Sequence, residues 1–101
     1  MPSVIYGILE EEKQRNLEMQ MAHKAEIASL RRGSIKIKYK SGRPYYYLQY
    51  RQGDRIIDEY LGKDNAAVDT VRKEIEKRKY LQGVLKRLHQ EYREICRIVK
   101  D

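Results

Sequence analysis

The sequence predicts an α+β fold with an N-terminal helix, a three-stranded antiparallel β-meander, and then two C-terminal helices or one kinked helix. Apolar residues recur at helical spacing near both ends of the chain, and the spacing changes to strict alternation in the middle. Glycine-containing turns divide the alternating stretch into three strands. With 101 residues, the chain is expected to form a single domain over 1–101.

The first zone, 3–32, is predicted to be helical. Ser3 is suited to cap the helix, and Gly33 is a natural stop after it. The apolar residues at helical spacing are Leu17, Met21, Ala25 and Ala28. Segment 10–16 is polar on every face, so we expect no burial there, whether it is a spacer in one long helix or a break between two. The apolar tip before it could dock on a partner chain or fold back onto its own core.

The second zone, 34–62, is predicted to form the meander. A four-residue turn from Ser41 to Pro44 would pair Lys40 with Tyr45, and the second loop would be Gly53-Asp54. Both hairpins then place the apolar residues on one face, namely Ile35, Ile37, Tyr39, Tyr46, Leu48, Tyr50, Ile57 and Leu61. Glu59 falls on the same face and therefore needs an edge position or a basic partner.

The third zone, 65–100, is predicted to be helical, with Asp64 or Asn65 as its cap. Its first apolar stripe comprises Val68, Val71 and Ile75, and a heptad stripe follows at Leu81, Leu85, Leu88, Tyr92, Ile95 and Val99. This stripe is short for an autonomous coiled coil, so we expect it to pack against the sheet or the N-terminal helix. Homodimerisation through 81–99 stays open.

Positive charge is concentrated in one quarter of the chain. The window from Arg31 to Arg55 contains eight basic residues and a single acid, Asp54, and so carries the whole net charge of +7. The rest of the chain has equal numbers of acidic and basic residues. A neutral frame around a basic window is typical of a surface that contacts a polyanion.

The sheet face opposite the apolar residues collects basic and aromatic side chains. Lysine neutralises phosphate, arginine and glutamine can contact base edges, and tyrosine can stack on unpaired bases. The predicted nucleic-acid-binding residues are Lys36, Lys38, Lys40, Arg43, Tyr45, Tyr47, Gln49, Arg51 and Arg55. The alternative is an ordinary solvated sheet face without a ligand.

No catalytic residue, cofactor or metal site is predicted, so we expect a protein that is not an enzyme. His23 and His89 lie in different helical zones, and neither has cysteines or carboxylates at metal-ligand spacing. No apolar run approaches the roughly 20 residues that a membrane span needs, so no membrane partner is expected. The one cysteine, Cys96, favours a reducing intracellular compartment.

Four segments of the chain carry a resemblance to known proteins: Gly33-Ser34-Ile35-Lys36, Gly42-Arg43-Pro44-Tyr45-Tyr46, Gly53-Asp54-Arg55 and Tyr60-Leu61-Gly62-Lys63. Together, over roughly residues 33–79, they resemble the three-stranded arm-type DNA-binding modules of phage and transposon tyrosine integrases. They are also similar to small proteins of bacterial mobile elements that carry a GSI…YYYL…YLGK core. In the integrase modules the sheet contacts DNA, which implies a binding role here for Lys36, Lys38, Lys40, Tyr47, Gln49 and Arg51.

The chain also departs from those modules. It has a long N-terminal helix, a further C-terminal helix and no recombinase domain, and Asp58 and Glu59 bring negative charge to the third strand. The resemblance and the charge pattern together predict a nucleic-acid-binding accessory protein of a phage or mobile element, in the cytoplasm of a bacterial host cell. DNA and RNA stay open as partners. The alternative is a small inhibitor of a host defence nucleoprotein complex, of the anti-CRISPR type, that binds protein or a guide or DNA channel.

Overall fold

The computed structural model describes residues 3–63 and 65–99. Its elements are α1 (Val4–Ser29), β1 (Ser34–Lys40), β2 (Arg43–Gln52), β3 (Arg55–Gly62) and α2 (Asn65–Ile98). The predicted α+β fold is therefore confirmed. The C-terminal zone forms a single helix, which the prediction allowed as the alternative to two helices. The helix α2 begins at Asn65, and the other predicted cap, Asp64, lies outside the described residues.

The chain contains two compact units. The sheet unit comprises Leu30–Lys79, which holds the three strands and the first part of α2. The helical unit comprises α1 and the part of α2 from Tyr80 onward. The expectation of a single domain over 1–101 stays a prediction.

Helix α1 begins at the predicted cap. The Tyr6 backbone N–H donates to Ser3 Oγ at 3.2 Å, so the Ser3 side chain satisfies a donor that the first helical turn leaves open, and the Gly7 N–H donates to the Ser3 carbonyl in the first regular helical bond. The helix is continuous through 10–16, which settles the open alternative in favour of one long helix. It ends at Ser29, earlier than the predicted end at 32.

The first hairpin has a two-residue loop, Ser41-Gly42, because Lys40 pairs with Arg43. The φ values of 53° at Ser41 and 75° at Gly42 place both residues in the left-handed region, as a type I′ turn requires. The predicted pairing of Lys40 with Tyr45 is therefore wrong by two residues. Because side chains alternate with a period of two, this error leaves every residue of the hairpin on its predicted face.

The second hairpin has the predicted loop and register. Gln52 pairs with Arg55 around Gly53-Asp54, and the φ of 62° at Gly53 fits a turn with glycine at its first central position. A β-bulge interrupts this register near the end of β3, where Tyr46 pairs with Gly62. Residues beyond the bulge consequently change face relative to the simple alternation.

The core of the sheet unit forms between the apolar sheet face and the first part of α2. Leu48, at the centre of β2, is only 1% exposed and packs with the buried Val71 and Ile75 of the helix. The half-buried residues that pack against this cluster are Ile35, Tyr50 and Leu61. Val68 is buried on the same helix, so the predicted first stripe of α2 is confirmed.

The apolar face is covered in part only. Ile37 is 47% exposed and Tyr39 is 70% exposed, so their assignment to the core is wrong. The covering residues of α2 lie over Leu48 and its neighbours, and the hairpin end of β1 projects beyond them. Glu59 lies on the edge strand β3, where it pairs with Leu48. It forms an ion pair with Arg31, so Glu59 has both the edge position and the basic partner that the sequence analysis named as alternatives.

The connection from α1 to β1 passes close to the sheet at Gly33. A Cβ atom there would lie 2.4 Å from the Gln49 carbonyl oxygen and 3.1 Å from Leu48 Cδ1, and the φ is +125°. Only glycine fits both the close approach and the backbone conformation. Arg78 Nη1 also donates to the Leu30 carbonyl at 3.1 Å, which fastens this connection to α2.

In the described part of the helical unit, the buried apolar residues other than Ile27 lie on α2 or directly after it. Of the six residues of the predicted heptad stripe, Leu81 and Leu88 on α2 and Val99 directly after it are buried, and the other three, Leu85, Tyr92 and Ile95, are half-buried. On α1 the predicted stripe is wrong at three of its four residues: Leu17 is half-buried, but Met21 is 72% exposed, and Ala25 and Ala28 are exposed as well. The buried residues of α1 are Asn16, Gln20 and Ile27.

The amides of α1 are buried because they are hydrogen-bonded. Asn16 Nδ2 donates to the Leu88 carbonyl at 3.0 Å, and Gln20 Nε2 donates to Asn16 Oδ1 at 2.6 Å. Burial of an amide is tolerated when its polar atoms have partners. The expectation that 10–16 has no buried side is therefore wrong at Asn16.

Over the described residues, neither helix contains a stretch that is both long enough and apolar enough to cross a membrane.

Candidate functional site

The candidate site is the sheet face turned away from α2, which we call the outer face. Register places eight of the nine predicted binding residues there, on β1 and β2. They are Lys36, Lys38, Lys40, Arg43, Tyr45, Tyr47, Gln49 and Arg51. The ninth, Arg55, pairs with Gln52 at the tip of the second hairpin and belongs by alternation to the opposite face.

Three tyrosine rings form a cluster at the centre of this face. The Tyr60 ring centroid lies 5.3 Å from that of Tyr47 and 6.2 Å from that of Tyr45, with tilted ring planes. These separations fall within the range for favourable aromatic pairs. Tyr60 remains 52% exposed, so part of its ring is open to solvent.

Lysine ammonium groups surround the ring cluster. Lys38 Nζ lies 4.6 Å from the Tyr47 centroid, while Lys63 and Lys40 lie 5.1 Å and 5.9 Å from the Tyr45 centroid. At these distances each ammonium group is attracted to the negative face of a ring. The cluster thus concentrates positive charge above aromatic surface.

One acid interrupts the positive face. Asp58 on β3 pairs with Gln49, accepts a hydrogen bond from Gln49 Nε2 at 3.1 Å and lies 3.3 Å from Lys38 Nζ. The Gln49 hydrogen bond, together with the Lys38 ammonium group, holds the pKa of Asp58 below its ordinary value of 3.8. Asp58 is therefore ionised at neutral pH and offsets part of the charge of Lys38.

The other predicted cations are less constrained. In the part of the chain that the structure describes, Lys36, Arg43 and Arg51 have no acidic side chain within ion-pair distance. All three are exposed. An exposed cation without an acidic partner is free to neutralise a bound anion.

Two residues of the cluster, Tyr60 and Lys63, are not among the nine predicted binding residues. The β-bulge explains why Lys63 escapes simple alternation: by the register before the bulge, Gly62 would share the outer face with Tyr60, and Lys63 would point away. After the bulge Gly62 pairs with Tyr46, so Lys63 reaches Tyr45. Period-two alternation contains no signal of this shift.

Among residues 3–63 and 65–99, no group of three or more His, Cys, Asp or Glu side chains is arranged to hold a metal ion. The lone cysteine, Cys96, is a half-buried free thiol in the helical unit.

Comparison with known proteins identifies a family. The sequence profile described as "Domain of unknown function (DUF6788)" matches residues 8–73, about two thirds of the chain. No curated protein matches the sequence significantly, and no solved structure matches its fold significantly. The chain belongs to the DUF6788 family.

Proposed function

We propose that this member of the DUF6788 family binds nucleic acid through the outer face of its sheet and catalyses no reaction. The observation that supports the proposal is the lysine–tyrosine cluster: three ammonium groups lie within 6 Å of tyrosine rings on one solvent-facing surface. Such a surface can bind phosphate and base at once, because ammonium groups neutralise the backbone while rings offer stacking surface. An accessory protein of a phage or mobile element, in the bacterial cytoplasm, is the biological setting that we propose.

Phosphate contacts come from the cations that lack an acidic partner. Lys36 lies on β1, and Arg43 and Arg51 lie near the two ends of β2, so these cations span the length of the sheet. A nucleic acid strand that follows the sheet would meet them in succession. Lys40 and Lys63 would join them beside Tyr45.

Base contacts come from the centre of the face. Tyr60 has the most exposed ring of the cluster and is placed to stack on an unpaired base. The Gln49 side chain donates one amide N–H to Asp58, so its carbonyl oxygen and its second amide N–H are left to pair with a base. Asp58 repels phosphate but can accept a hydrogen bond from an amino group of a base.

Binding to labelled oligonucleotides at several salt concentrations tests the proposal. We expect the fluorescence anisotropy of a 20-mer to give a log–log slope of about −3 to −5, since four or five phosphates are neutralised. Duplex DNA, single-stranded DNA and RNA are compared in parallel. Undetectable binding to all three at low salt, or a slope near zero, would contradict the proposal.

A second candidate function is inhibition of a host defence nucleoprotein complex, and the N-terminal tip of α1 favours it. Val4, Ile5 and Ile8 are exposed on the first turns of this helix. Apolar residues grouped at a helix end are typical of a protein contact. Pull-down from a nuclease-treated host extract is the test: this function requires that a protein complex is still recovered, and loss of the complex after treatment would contradict it.

A further inference from the structure

The outer edge of β1 is an unpaired strand edge in the described part of the chain. The strand order is β1-β2-β3, so β1 has a neighbour on one side only. Over the described residues, no backbone hydrogen bond from a turn or loop reaches this edge either. An open edge presents N–H and C=O groups that can pair with a further strand.

The hairpin loop determines which backbone groups point outward. Lys40 and Arg43 flank the two-residue loop, so they form a hydrogen-bonded pair, and such pairs recur at every second residue. Lys36 and Lys38 therefore direct their backbone groups toward β2, as Lys40 does. The residues whose N–H and C=O groups point to the open edge are Ile35, Ile37 and Tyr39.

A groove runs beside this edge. A cavity of about 320 Å³ lies between the start of β1 and α2 within the sheet unit, with Ile35 and Ile75 as its apolar lining and Arg72, Glu76 and Lys79 as charged lining. The exposed side chains of Ile37 and Tyr39 continue the apolar surface along β1. An apolar side chain next to Ile35 would thus contact Ile35 and Ile75 in a pocket that charged side chains also line.

We propose that the β1 edge binds an extended peptide segment in which acidic and apolar residues alternate. Peptide residues that bond to Ile35, Ile37 and Tyr39 place their side chains on the helix-facing side, next to the apolar side chains of those three residues. Intervening peptide residues lie beside Lys36, Lys38 and Lys40 on the outer face, where acidic side chains are favoured as cross-strand neighbours. This mode of recognition is β-strand addition, in which backbone bonds give affinity and alternate side chains give specificity.

The same register disfavours a second copy of this chain as the occupant. Two β1 edges that pair through their outward groups would set each lysine of one strand opposite a lysine of the other, which is destabilising. Lysines on an edge strand also discourage self-association generally. A partner protein with a segment of alternating acidic and apolar residues avoids both obstacles, because its acidic side chains would lie opposite the lysines of β1.

The test uses the whole protein and a fluorescein-labelled heptapeptide, Glu-Val-Glu-Val-Glu-Val-Glu. We expect saturable binding and slowed hydrogen exchange at the amides of Ile35, Ile37 and Tyr39, measured by NMR. The control is a peptide of equal composition in blocks, Val-Val-Val-Glu-Glu-Glu-Glu, which cannot alternate and should bind about tenfold more weakly. Equal binding of the two peptides, or unchanged exchange at those three amides, would overturn the proposal.

Two further changes test the backbone bonds themselves. N-methylation of the central peptide valine removes its donor, and we expect affinity to fall by about tenfold with the wild-type protein. Ile37→Pro removes an outward N–H from an edge strand, where proline is tolerated, and should weaken binding similarly. Undiminished affinity of the N-methylated peptide would contradict strand addition even if the proline variant fails to fold. No nucleic acid takes part, so these results are independent of the proposed function.

Discussion

The two units of this chain bury their helices in different ways. In the sheet unit, α2 places Val71 and Ile75 against Leu48, so removal of apolar surface from water stabilises the contact. In the helical unit, α1 buries the amides of Asn16 and Gln20 as well as the apolar Ile27. Loss of side-chain volume should therefore be the costly change at the first contact, whereas loss of a hydrogen-bond partner should be costly at the second. Mutation should therefore affect the two units by different rules.

The largest effect is expected at the centre of the sheet unit. Leu48→Ala removes a side chain that is 1% exposed and leaves a cavity, so we expect a loss of about 3–5 kcal/mol in the free energy of unfolding, measured by urea denaturation. Ile56→Ala on the outer face is the control, and because Ile56 is exposed its loss should stay below about 0.5 kcal/mol. Similar losses for both variants would refute the assignment of the two faces.

Glycine substitutions should have opposite signs in the two units. Gly33→Ala forces a Cβ against the Gln49 carbonyl at positive φ, so we expect destabilisation of about 2 kcal/mol or more. Gly83→Ala lies in the interior of α2, where the new Cβ would meet no atom within 4 Å other than the adjoining backbone of its own helix, and it should stabilise by about 0.5–1 kcal/mol. Thermal unfolding of both variants measures this contrast, and a stabilising Gly33→Ala would contradict it.

The amide contact offers a sharper comparison. Asn16→Ala leaves the Gln20 amide without its acceptor, and we expect a loss of about 1–3 kcal/mol in urea denaturation. Replacing both amides, Asn16→Leu with Gln20→Leu, should recover much of that loss because no polar atom is then buried without a partner. A double variant less stable than Asn16→Ala alone would contradict this expectation, because the two amides would then contribute more to the free energy of unfolding than the pairing of their own polar atoms explains.

The smallest effect concerns the acid on the outer face. Because its partners hold the pKa of Asp58 below the ordinary value, the carboxylate contributes stability at neutral pH that is lost as the pH falls through the folded-state pKa. Gln49→Ala removes the principal cause, so the pKa of Asp58 should rise toward 3.8 in an NMR titration. Gln52→Ala, at the end of the same strand, is the control and should leave the pKa of Asp58 unchanged. An unaltered pKa in Gln49→Ala would contradict the hydrogen bond.

Much of the sheet follows from its sequence because alternation is robust. An error of two residues in the first hairpin left Lys36 and Tyr47 on their predicted face, since only an odd shift exchanges the faces. The loop length itself was missed because it depends on Ser41 adopting positive φ, which is unusual for serine. Lys63 was missed because a bulge moves it, and the alternating pattern carries no sign of that bulge.

The helical unit was harder to predict for a physical reason. Residue hydrophobicity favours burial of Met21, but the fold exposes Met21 and buries Asn16, whose amide reaches the Leu88 carbonyl. Hydrophobic patterning treats all polar residues as unfavourable in a core, whereas a hydrogen-bonded amide is tolerated there. The hydrogen-bond partner of a buried amide can be identified only when the packing of the two helices is known.

The proposed binding of nucleic acid depends on the outer face and not on the net charge of +7 alone. Lys36→Glu and Lys86→Glu change the net charge equally, the first on the outer face and the second on α2. Anisotropy with a duplex 20-mer at low salt should show affinity about tenfold weaker for Lys36→Glu and within about twofold of wild type for Lys86→Glu. Equal weakening by both variants, or none by Lys36→Glu, would contradict the account.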